Sequence, residues 1–145
     1  MITLLQREFI VEVPLTIAWR HLAQVEKWPS WARHLKHLKL APGRELTSQS
    51  HGMIYLRNGV RSDFRITEFN LHRNWKWVGP FLWLTVHYDH RFEVFEEWRT
   101  KITFVVEGEG LGVSTLGKFF AAIYRSHLDK AIPRLVEEMN AIKFI

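Results

Sequence analysis

Eight His, three Tyr and no Cys set the chemistry open to this chain of 145 residues. The lack of Cys removes disulfides, thiolate metal sites and a Cys nucleophile. It suits a reducing compartment, so a cytoplasmic location is expected. His34 and His37 are three apart in sequence, as are His87 and His90. On a strand, positions three apart point to opposite faces, so His87 and His90 cannot share an ion. His34 and His37 could converge on a helical turn, but no carboxylate stands beside them in sequence. No metal site is expected. Ser62, Ser114 and Ser126 lie in no Gly-x-Ser-x-Gly elbow. Gly108-Glu109-Gly110-Leu111-Gly112 lacks the Lys-Ser/Thr ending of a phosphate loop and the glycine spacing of a dinucleotide fingerprint. It reads as a strand-to-helix connection, and no cofactor is expected.

Polar residues on apolar faces carry more information. Tyr88 and His90 fall on the inward face of the clearest strand, and His127 sits in an apolar helical stripe beside Tyr124. Tyr55 faces inward on a short strand of its own. A buried His or Tyr needs a hydrogen-bond partner. Two readings follow. These groups satisfy one another and the backbone, or His90 and His127 orient a polar group on an otherwise apolar ligand. A His near neutral pKa can also act as acid or base in an aldol-type cyclisation or a dehydration.

The elements that must position these groups follow from periodicity. Residues 7–13 alternate as a strand, with Pro14 placed to start a helix over Leu15 to Leu22. Pro29 separates that helix from a second short one beginning at Glu26. Pro42-Gly43 marks a turn, and Asn58-Gly59 signals a hairpin between strands at 53–57 and 61–70. Trp75 and Trp77 share a face of the next strand, which Gly79-Pro80 is expected to end. Residues 81–95 alternate most clearly, with Leu82, Leu84, Val86, Tyr88, His90, Phe92 and Val94 inward. A strand at 98–107 places Ile102, Phe104 and Val106 inward. Residues 113–142 read as one long helix. Its large apolar residues fall in two groups, Leu116 to His127 and Leu128 to Ile142, displaced by about a quarter turn. Pro133 lies in the second, and a bend is expected near 129–133.

Hydrophobic residues make up 47% of the chain, which excludes a disordered chain, and seven Trp and ten Phe either fill a core or line a pocket. The uncharged run from Trp77 to Val86 is too short to span a bilayer, so no stable membrane insertion is expected. The net charge is +5, and residues 19–44 carry six basic residues (Arg20, Lys27, Arg33, Lys36, Lys39, Arg44) against Glu26. Such a segment is either a solvated face or an attractor for an anionic headgroup or an acidic partner. Trp19 lies at helical spacing from Leu15 and Leu22, which implies burial and not base stacking. Nucleic acid is not an expected partner.

The order of these elements is informative as a set. Phe9 to Val13 followed by Pro14-Leu15-Thr16-Ile17-Ala18-Trp19, the Trp28-Pro29-Ser30-Trp31 run, Gly52, and the tail from His127 to Leu135 resemble the START-like (SRPBCC, helix-grip) superfamily, in particular its polyketide cyclase/dehydrase-type group. The resemblance implies an α+β fold: one domain over 1–145, a curved antiparallel sheet of about seven strands around a long C-terminal helix, and two short helices after the first strand. It implies a cavity between sheet and helix for a hydrophobic or amphipathic small molecule, lipid, aromatic or polyketide-like, and transfers no fixed catalytic residues. The expected wall is Tyr55, Phe64, Ile66, Trp75, Trp77, Leu84, Val86, Tyr88, His90, Phe104, Leu116, Phe120, Ile123, Tyr124 and His127, with the basic 19–44 segment near the mouth. An enzyme acting through His90 or His127, and an interaction protein with a filled core, stand as alternatives.

Overall fold

The computed structural model describes residues 1–144; of the domain expected over 1–145, residue 145 lies outside the described residues. Strand β1 (Ile2–Val11) leads into α1 (Leu15–Ala23) and a 3₁₀ segment (Val25–Ser30). Strands β2 (Leu35–Ala41), β3 (His51–Leu56), β4 (Arg61–Asn70), β5 (Asn74–Phe81), β6 (Leu84–Glu96) and β7 (Arg99–Glu109) follow, and α2 (Val113–Asn140) completes the chain. The seven strands form one antiparallel sheet in the order β1-β7-β6-β5-β4-β3-β2. This is the helix-grip arrangement: a curved open sheet, two short helical segments after the first strand, and one long helix.

Three local readings of the sequence need correction. β1 begins at Ile2 and not at residue 7. β5 continues through Gly79-Pro80 to Phe81, because the ladder to β4 runs no further than Val78, while pairing with β6 continues through Pro80. The missing N–H of Pro80 is therefore not called on by a neighbouring strand. The alternation over 81–95 hides a hairpin: Leu82 and Trp83 are its exposed two-residue loop, and Phe81 pairs with Leu84. Val94 is also exposed, since β6 runs beyond the core before its bulge at Val94/Glu96.

Helix α2 is continuous through Pro133. Apart from Phe120 on its flank, the buried residues Gly117, Ala121, Leu128, Ala131, Leu135 and Met139 fall within about 40° of one line at 100° per residue. The stripe is single, and it looked broken only because three of its members are Gly or Ala. These small residues let the helix approach β1 closely. A Cβ on Gly117 would lie 2.8 Å from Leu4 Cδ2. Polar contacts fix the rest of the helix. Arg7 of β1 meets Asp129 at 3.3 Å. Glu138 accepts from Ser30 Oγ at 2.9 Å and contacts His21 Nε2 at 2.8 Å. Asn140 Oδ1 accepts from the Glu12 N–H at 2.7 Å, next to the strand end.

The concave face of the sheet is packed with rings. Trp19 lies 5.2 Å from Trp75, Trp75 stacks on His90 at 4.6 Å, His90 is 4.8 Å from Trp77, and Trp77 is 5.1 Å from Trp28. The Trp28 indole N–H donates to the Leu22 carbonyl at 2.8 Å, which locks α1 to the 3₁₀ segment.

Gly52 marks the tightest point of the β2–β3–β4 corner. A Cβ there would overlap the Lys39 carbonyl oxygen and lie 2.7 Å from Phe64 Cζ. Gly52→Ala is expected to destabilise the protein by about 1–3 kcal/mol, lowering Tm by ~3–10 °C in calorimetry.

Candidate functional site

Where the ring packing stops at Trp77, a cavity of about 290 Å³ remains between the sheet and α2. The sheet side is Phe64 of β4, Trp77, Gly79, Pro80 and Phe81 of β5, Tyr88 of β6 and Phe104 of β7. The helix side is Phe120, Ile123, Tyr124 and His127 on one flank of α2, with Leu128 and Ala131 from its buried stripe. Trp28, Trp31, Ala32, His34 and Leu35 close the inner end, and the β3–β4 hairpin contributes Ile54, Leu56, Asn58, Val60, Ser62 and Asp63.

Of the residues expected on the wall, Phe64, Trp77, Tyr88, Phe104, Phe120, Ile123, Tyr124 and His127 line the cavity. Seven other residues expected there lie elsewhere. Ile66, Trp75 and His90 are buried in the ring packing behind Trp77. Leu84 packs under Gly110, and Val86 is fully buried beside it on β6. Leu116 is half-buried one turn before Phe120. Tyr55 stacks on His37 at 4.2 Å with Lys39 Nζ 5.4 Å from its ring, on the opposite face of β3 from Ile54 and Leu56. Sequence reasoning missed His34 as a wall residue, because it lies between the 3₁₀ segment and β2, where no period applies.

The polar groups of the cavity are few. His34 and His127 stack face to face, ring centroids 4.1 Å apart and planes 8° from parallel. Burial, then the neighbouring His127, lowers the pKa of His34 to about 4. Burial, then Lys130, lowers that of His127. Both rings are therefore neutral at pH 7 and offer one N–H and one lone pair each. Burial raises the phenol pKa of Tyr88 and of Tyr124, so both remain neutral hydroxyls. Tyr124 lies 5.7 Å from Tyr88 and stacks on Phe120 at 5.6 Å. His90, by contrast, is held in place by an Nδ1 contact to the Trp75 carbonyl at 3.1 Å, and desolvation lowers its pKa to about 4.

None of the six basic residues of the 19–44 segment lines the cavity; Lys27, Arg33 and Lys36 each neighbour a lining residue in sequence. Arg20 is on α1, Lys27 in the 3₁₀ segment, Lys36 and Lys39 on β2, and Arg44 after it. A second hollow, open to solvent, lies on the outer sheet face around Glu68, Asn74, Lys76, Asp89 and Arg91. Its buried carboxylate is already held, Asp89 accepting from Asn74 Nδ2 at 2.8 Å and from Arg91 Nε at 2.6 Å. Among the described residues no three His, Asp or Glu side chains gather as a metal-ion site. No helix among them is long and apolar enough to cross a membrane.

No family model and no curated protein matches the chain. Solved structures do. A hypothetical protein of Helicobacter pylori, jhp0584, superposes with a TM-score of 0.77 at 15% identity, over 92% of this chain and 86% of that one. The di-domain ARO/CYC BexL from the BE-7585A biosynthetic pathway gives 0.72 at 13% identity, over 94% of this chain. The di-domain ARO/CYC StfQ from the steffimycin biosynthetic pathway gives 0.68 at 15% identity, also over 94%. The chain spans 46% of BexL and 44% of StfQ, about one domain of each. These likenesses establish the shared fold.

The histidine shifts make stability depend on pH. In the unfolded chain His34 and His90 titrate near ~6.5, so between pH 6.5 and about 4 the unfolded state binds more protons. Their contribution is complete above pH 6.5 and is lost as pH falls toward 4. Urea unfolding across this range should show stability falling with acidification. His90→Phe should flatten the slope by up to about 1.4 kcal/mol per pH unit.

Proposed function

We propose that this protein binds a hydrophobic or amphipathic small molecule in the cavity between the sheet and α2. The observation that carries the reading is the composition of the wall: mostly aromatic and aliphatic side chains, with two neutral imidazoles, two neutral phenols and Asn58, Ser62 and Asp63 of the β3–β4 hairpin as the polar groups. Pockets for apolar ligands are built this way, a greasy enclosure with a few convergent polar groups that fix orientation. The polyketide cyclase/dehydrase-type resemblance supports it, as does the likeness to two ARO/CYC structures from biosynthetic pathways. An aromatic or polyketide-like ligand suits the rings of Trp77, Phe104 and Phe120. Arg33, beside His34, is the residue of the basic segment placed to attract an anionic group on such a ligand.

Catalysis is the second reading, favoured by the His34–His127 stack. A neutral imidazole on a cavity wall can take up a proton at pH 7 as a general base, as a cyclisation or dehydration requires. On this reading the acting histidines are His34 and His127, since His90 is walled off behind Trp77.

The test uses the neutral fluorophore N-phenyl-1-naphthylamine, with native mass spectrometry of the freshly purified protein. Saturable fluorescence enhancement is expected. Leu56→Trp, which enlarges a half-buried wall residue, should weaken it by about tenfold through loss of the space. Tyr88→Phe and His127→Phe should leave the fluorophore unaffected and weaken a hydroxylated analogue, 1-naphthol, by about fivefold each. No enhancement in the wild type, together with a mass spectrum free of co-purified ligand, would reject binding in favour of a filled interaction module.

A further inference from the structure

We propose that the apolar rim at the β5–β6 hairpin end of the molecule docks on an anionic phospholipid surface. Three connections leave the sheet at this end: the β3–β4 turn, the β5–β6 loop and the β7–α2 link. Each exposes large apolar side chains. Leu82 and Trp83 are each 66% exposed and Leu111 is 88% exposed, with Val60 and Phe119 also in solvent.

Leu82 is the most telling of these. It opens a two-residue hairpin loop at φ 55°, a backbone state that favours Gly or Asn and disfavours a branched apolar residue. Leucine here is costly to the backbone and is not repaid by burial. The loop is also held rigid: the Trp83 indole N–H donates to the Leu111 carbonyl at 2.8 Å. Two apolar tips from different parts of the chain are thus clasped together, with the polar atom of the indole satisfied inside the protein. Phe81, next to Leu82, packs on Phe120 at 4.8 Å, which joins this rim to the cavity wall.

The charges select the partner. Arg57 and Arg61 in the β3–β4 hairpin and Lys118 in the first turns of α2 are exposed and make no ion pair among the described residues. The carboxylates at this end are Asp63 on β4 and Glu107 and Glu109 on β7, the last in contact with His87 Nε2 at 2.8 Å; Arg33, whose carbonyl accepts from Arg57 Nε, adds a further exposed cation. The N-terminus of α2 adds its positive dipole end. At the opposite end of the sheet the exposed Val94, Phe95 and Trp98 stand among Glu93, Glu96 and Glu97, the first two of these acids paired with Lys101 and Arg99. Shallow apolar tips with an indole, accompanied by exposed basic side chains, are what an anionic bilayer interface accepts.

Co-sedimentation with phosphatidylcholine vesicles, with and without about one-third phosphatidylserine, tests this. The wild type is expected to bind the anionic vesicles and to bind neutral ones far more weakly. Leu82→Asn with Trp83→Ser should weaken binding by about tenfold or more, while Asn suits the backbone at 82 and the fold is kept. Arg61→Glu with Lys118→Glu, on the surface, should remove the preference for anionic vesicles. Naphthylamine binding in vesicle-free solution should be unchanged in both variants, which separates this proposal from that for the cavity. Wild-type protein that stays in the supernatant with anionic vesicles overturns the proposal and leaves the rim to a protein partner. So does a hairpin variant that sediments as the wild type does.

Discussion

The ring packing that runs from Trp19 through Trp75, His90 and Trp77 to Trp28 occupies one part of the concave sheet face. A curved sheet must cover that face, and large rings cover it with few residues. At Trp77 the packing meets Phe64, 4.5 Å away, and then ends. The cavity is the remainder of the same face. Trp77 thus belongs to both regions, as the end of the core and the floor of the site. His90 belongs only to the first, which is why its imidazole is neutral and bound to backbone.

The way α2 is seated decides the shape of what remains. Gly117, Ala121 and Ala131 bring the helix down onto the β1 side of the sheet, and Leu128, Leu135 and Met139 fill the contact. Because the stripe is narrow, the flank carrying Phe120, Tyr124 and His127 is left beside the contact and not in it. The same seating brings His127 over His34, so two segments 93 positions apart share one stacked pair. A wider stripe of large residues would lift the helix and separate the rings.

Much of the fold was legible in the sequence. Alternation at 61–70 and 84–93, the Asn58-Gly59 turn and the long amphipathic tail mark their elements, because period and turn chemistry are local. Two of the places where it misled have a common cause. Leu82 and Trp83 continue an apolar alternation through a turn whose residues break the usual rules, and Gly117, Ala121 and Ala131 carry a buried stripe that a search for large apolar side chains overlooks. Of the site, the sequence marked the residues on strands and on α2 that face inward. It could not divide inward residues between filled core and open cavity, since Trp75 and Trp77 have the same period, type and burial.

The sequence by itself determined the element order, the faces of the central strand residues, the absence of thiol chemistry and the aromatic character of the interior, all of which depend on residue type and near-neighbour spacing. Tertiary structure alone decided that His34 meets His127, that His90 is enclosed in rings, that Tyr55 faces outward, and that Trp83 is clasped to Leu111. Each of these depends on how closely two surfaces approach. That distance is set by packing volumes and strand register over the whole sheet, which no local pattern encodes.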